Sequence, residues 1–109
     1  MKASELVNEI VGVYQKHGWQ LRGVLLTATT RAELQSTCEL FNEAPVQDSS
    51  VDALWFSRPS HPEREAWELR LLSENPYALF ETFEKDENEE QREEMRNEME
   101  ARLRDYVSK

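Results

Sequence analysis

Ala66-Trp67-Glu68-Leu69-Arg70-Leu71-Leu72 is the stretch that decides the fold. Trp67, Leu69 and Leu71 alternate with Glu68 and Arg70, which is the period of a strand with one face in a core and one face in water. A second run of strand-forming residues, 51–57, precedes it across Arg58-Pro59-Ser60-His61-Pro62-Glu63-Arg64-Glu65, which reads as a connecting loop. On the other side, Ser73-Glu74-Asn75-Pro76 marks a turn, and the alternation resumes over 77–84. Asn75 followed by Pro76 would also open a helix. Tyr77, Phe80 and Phe83 favour a strand there instead. A fourth strand is expected at 19–27, with Trp19, Leu21, Gly23 and Leu25 facing one way and Gln20, Arg22, Val24 and Leu26 the other.

Helical spacing frames these strands. Over 4–17, Leu6, Val7, Ile10, Val11, Val13 and Tyr14 gather on one arc, a core face, with Ser4 placed as N-cap and Gly18 just past a cationic last turn. Thr30 followed three residues later by Glu33 predicts a short helix near 31–40, with Leu34, Cys38 and Phe41 on one face; an edge strand over 36–41 competes. Residues 42–50 read as a loop. From Asp86 onward the spacing predicts a long helix over 87–107, packed through Met95, Met99, Leu103 and Tyr106. Its pairs Glu98–Arg102 and Glu100–Arg104 have the favourable i, i+4 orientation. The expected architecture is therefore α+β: one domain, 1–109, with an antiparallel sheet of about four strands whose helices cover one face. The other face would display Arg22, Glu68 and Arg70.

Charge narrows the function. The 109 residues hold 13 Lys+Arg against 22 Asp+Glu, a formal charge of -9. Residues 1–60 contribute 5 basic and 7 acidic side chains, net -2, and residues 61–109 contribute 8 basic and 15 acidic, net -7. The junction between Glu81 and Glu94 is the most negative place on the chain. Nucleic-acid binding is not expected, because affinity for phosphate backbones rests on clustered cations. Cys38 is the single cysteine, so no internal disulfide forms and a cytoplasmic, reducing setting is expected. No apolar run resembles a secretory signal or a membrane span.

Catalytic signatures are missing from the pattern. No G-x-S-x-G elbow occurs, no Glu-x-x-His occurs, and Gly12, Gly18 and Gly23 are too dispersed to cradle a phosphate. Gln91 stands where a calcium loop over Asp86, Asn88 and Glu90 would need glycine. Cys38 reads as a small core residue and His17 as a partner of its helix C-terminus. No cofactor and no metal is expected, and no enzyme activity.

Two binding constellations remain. Arg58, His61 and Arg64 share the connecting loop and, with Arg22 and Arg70, could hold an anion; a small-molecule sensor or enzyme using Arg22, Arg58, His61 and Arg70 is the alternative reading. Glu87, Glu90, Glu94 and Glu98 would line the outer face of the last helix, and an outward Trp67 would anchor a partner. The first expectation is a non-catalytic interaction protein, an inhibitor or chaperone-like adaptor, for another and basic polypeptide. A homodimer through Met95, Met99 and Leu103 is a further expectation.

Overall fold

A computed structural model describes residues 3–34, 44–84 and 86–108, with the backbone alone at His61. Helix α1 spans Ala3–Lys16, strand β1 Gln20–Leu26 and helix α2 Ala28–Glu33. Strand β2 is Val46–Asp48, β3 Ala53–His61, β4 Arg64–Leu71, β5 Ala78–Glu84 and helix α3 Glu89–Val107. The class is α+β, as the hydrophobic periods require. The expected helix face of Cys38 and Phe41, and the competing strand over 36–41, lie outside the described residues.

The five strands run in the order β2-β1-β3-β4-β5. The meander from β3 to β5 is antiparallel, and β1 joins it antiparallel to β3. The sheet is nevertheless not wholly antiparallel: β2, in the stretch read as loop, pairs parallel with β1, Val24 facing Val46 and Leu26 facing Asp48. Residues 27–45 supply the crossover that such a pairing needs, and α2 lies within it. With three residues at the sheet margin, β2 is too short to show a period.

The segment 58–65 is no open loop either. Arg58 pairs with Ala66, Pro59 with Glu65 and His61 with Arg64, so β3 and β4 continue into a tight hairpin. Pro59 is tolerated beside the register shift between Pro59 and His61. At α2 the cap is Thr27 rather than Thr30. Thr27 Oγ1 accepts the Thr30 amide, and Asp52 accepts both the Thr27 amide (2.8 Å) and the Thr30 hydroxyl (2.7 Å). At α3 the cap is Asn88, not Asp86, with Gln91 completing a capping box.

The helices lie on opposite faces of the sheet, not on one. Val7, Ile10 and Val11 of α1 and Leu34 beyond α2 pack with Val24, Leu26, Leu54 and Phe56. Val13, at the edge of the expected arc, is left out of this core at 52 % exposure. Met99 and Leu103 of α3 pack with Leu25, Ala53, Trp55 and Leu69. The reason is visible in β3, where Leu54 and Phe56 face one way and Ala53 and Trp55 the other, all of them 6 % exposed or less. A central strand that is apolar on both sides needs a cover on both sides.

A bulge at Arg22 also breaks the expected alternation of β1. Leu21 pairs with Phe56 and Gly23 with Trp55, so Arg22 is the extra residue. Leu21 stays on the α1 face, whereas Gly23 and Leu25 belong to the α3 face.

Candidate functional site

Each expected site residue can now be placed. On the α1 face, Arg58 lies over the Trp19 ring at 4.7 Å and donates from Nη1 to the His17 carbonyl at 3.0 Å. Arg64 donates from Nε to Glu84 at 2.8 Å, across the β4–β5 ladder. Arg70 donates to the carbonyls of Leu71, Ser73 and Asn75, closing the turn into β5. These cations hold the fold's own backbone and acids. His61 stands on β3 paired with Arg64 through the backbone; its side chain lies outside the described set. Arg22, carried by the bulge, is on the opposite face, where Nε donates to Ser57 Oγ at 2.7 Å. Arg22 therefore does not share a face with Arg58, Glu68 and Arg70.

Glu68 has an internal role. It accepts the hydroxyl of Tyr14, which stacks on Phe56 with ring centroids 4.0 Å apart. Burial, then the hydrogen bond and charge of Glu68, hold the Tyr14 hydroxyl well above the ordinary tyrosine range, and Arg70 opposes them weakly. His17 Nδ1 donates to the Val13 carbonyl at 2.8 Å, the helix-terminal role expected of it.

Trp67 is not an outward anchor. Its ring is half-buried, edge-on to Trp55 and Phe83, and roofed by the Arg96 guanidinium at 5.3 Å. Among the described residues the most exposed aromatic is Phe80, 56 % exposed on β5, followed by Tyr106 on α3 at 41 %. The alternation already placed Phe80 opposite Phe83, which is buried, so the signal was present in the sequence.

The carboxylates on α3 sort by position. Glu87 precedes the helix, and its Oε1 accepts the Glu84 amide at 3.0 Å, so it belongs to the turn. Glu90, Glu94 and Glu98 are exposed, one turn apart along the outer face. Arg92 and Arg96, the arginines between them, do not neutralise them. Arg92 reaches inward, over the Phe83 ring and to the Glu84 carbonyl at 2.9 Å, and Arg96 lies on Trp67 and pairs with Glu89. Among the described residues neither Glu98–Arg102 nor Glu100–Arg104 forms an ion pair; Glu100 turns instead to accept the Trp55 indole N–H at 2.9 Å. Met99 and Leu103, the seam imagined for a second helix, are consumed by this chain's own sheet, at 1 % and 0 % exposure.

Among the described residues no three of His, Cys, Asp or Glu converge as a metal site, and no helix is long and apolar enough to cross a membrane. Comparison with protein-family models, with curated proteins and with solved structures finds no match for this chain.

Proposed function

We propose that this chain is a small, acidic, non-catalytic interaction protein that binds a basic polypeptide through the outer face of α3, in the manner of an inhibitor or a chaperone-like adaptor. One observation carries the reading. Glu90, Glu94 and Glu98 remain in water at i, i+4, i+8 spacing while Arg92 and Arg96, the cations nearest them in sequence, are turned to the sheet. A helix meant only to be solvated gains from interleaved opposite charges on its outer face. Withdrawing these two arginines leaves three carboxylates in a row, with Arg102 next only one turn beyond Glu98, on a chain whose formal charge is already -9. Such a strip steers an oppositely charged partner and raises its association rate. The single cysteine, Cys38, fits a reducing cytoplasmic setting.

The test is retention of partners from extract by the immobilised chain, compared with Glu90→Gln/Glu94→Gln/Glu98→Gln. A basic polypeptide held by the parent, lost by the triple variant and released by added salt supports the reading. Equal retention by both proteins, indifferent to ionic strength, overturns it.

A further inference from the structure

We infer that a cleft between the bulge of β1 and α3 is a binding site for a small organic monocarboxylate with a compact apolar or aromatic body. The cleft encloses about 310 Å³, at the lower end of the roughly 300–1,000 Å³ typical of ligand pockets, and it is separate from the outer face of α3. Trp55 and Trp67 line it from the sheet; Arg96 and Glu100 line it from the helix.

Three features of β1 and β3 shape this cleft. The bulge brings Arg22 onto the α3 face, and bulges commonly re-aim a side chain at a site. Ser57, a serine only 1 % exposed, then fixes that arginine by accepting from Nε at 2.7 Å. With Nε spent, the terminal pair of nitrogens is the edge that remains, and that edge matches a carboxylate with two parallel hydrogen bonds. Finally, Gly23 leaves space beside Trp55. A Cβ there would sit 3.8 Å from Trp55 Cδ1 and 3.9 Å from the Pro45 carbonyl oxygen, ordinary contact distances, so nothing in the packing demands a glycine.

The free edge of Arg22 sets the ligand's charge. Arg96 is already paired with Glu89, and Glu100 is held by the Trp55 indole. Among the described residues no carboxylate meets Arg22. The terminal nitrogens of Arg22 offer a place for one carboxylate, and the carboxylates of Glu93 and Glu100, which leave the lining with no net positive charge, disfavour any second charge, which selects against phosphates. The apolar body of the ligand would lie in the space that Gly23 leaves beside Trp55.

The tryptophans in the cleft provide the readout. Emission is followed while the full chain is titrated with benzoate, phenylacetate and hexanoate, and separately with the neutral amides of the same acids. The expected result is a saturable change with at least one acid, binding weaker by on the order of tenfold or more for its amide and for Arg22→Gln, and a smaller loss for Ser57→Ala. Gly23→Val should abolish the change by filling the space. Arg22 is exposed, so Arg22→Gln should keep the parent's far-ultraviolet circular dichroism, with a urea midpoint lowered no further than that of Ser57→Ala, which breaks the same hydrogen bond. No saturable change with any of the three acids overturns the inference, as does equal affinity for acid and amide or for parent and Arg22→Gln.

Discussion

Replacing Leu103 with alanine tests whether α3 is part of the core or only lies near it. Leu103 is 0 % exposed and shares its cluster with Met99, Leu69 and Ala53, exposed by 1 %, 0 % and 0 %. On the sheet side the backbone is pinned by ladders to β1 and β4, so it cannot move to fill a void. Leucine-to-alanine changes at such sites cost about 2.7–5 kcal/mol, and restricted collapse places this one near 3–4 kcal/mol. Against a total of roughly 5–15 kcal/mol that is a large fraction, and it lowers the melting temperature by about 12–30 °C at roughly 4–8 °C per kcal/mol. Urea unfolding followed by both far-ultraviolet circular dichroism and tryptophan emission measures it. Trp55 is tied to α3 through Glu100, so both signals should change in one transition. Glu98→Ala on the exposed face is the control, expected within about 0.5 kcal/mol of the parent. A loss below 1 kcal/mol for Leu103→Ala, or helical signal lost in an earlier transition with emission unchanged, would refute the docking of α3.

Two more substitutions probe the opposite side. Tyr14→Phe should cost about 1–2 kcal/mol at neutral pH, because Glu68 loses its donor in a half-buried setting. The native Tyr14 holds its proton past the ordinary value of about 10, so its contribution is complete below pH about 10. Above that the unfolded chain ionises first, and the gap between parent and variant should close as pH rises; urea midpoints showing a constant gap up to pH about 11.5 would contradict this. Asp52→Ala removes the acceptor for both the Thr27 amide and the Thr30 hydroxyl and should cost about 2 kcal/mol, with Asp52→Asn milder; unchanged melting of the alanine variant would rule the cap out.

What the sequence discloses of this fold depends on how locally each feature is determined. The period of β4 was readable because Trp67, Leu69 and Leu71 alternate with charged neighbours, and α1 because its apolar arc is continuous. Long-range features were hidden. No local signal announces that β2 will lie parallel on β1, or that the β1 ladder will skip at Arg22 and move Gly23 to the other face. The one-sided helix arrangement failed independently of that skip, because both faces of β3 are apolar and need separate covers. The site was partly legible for the same reason. Glu90, Glu94 and Glu98 follow from helical geometry alone, whereas the engagement of Arg58, Arg70 and Arg92 with backbone carbonyls depends on turns and helix ends brought near by tertiary packing.

The most direct measurement is the association rate of the captured basic partner as salt rises from about 0.1 M to about 1 M, over which the screening length falls from about 10 Å to about 3 Å. If the outer face of α3 is the recognition surface, the parent's rate falls steeply with salt, and Glu90→Gln/Glu94→Gln/Glu98→Gln starts lower and changes little. Equal rates and equal salt slopes for the two proteins would contradict it.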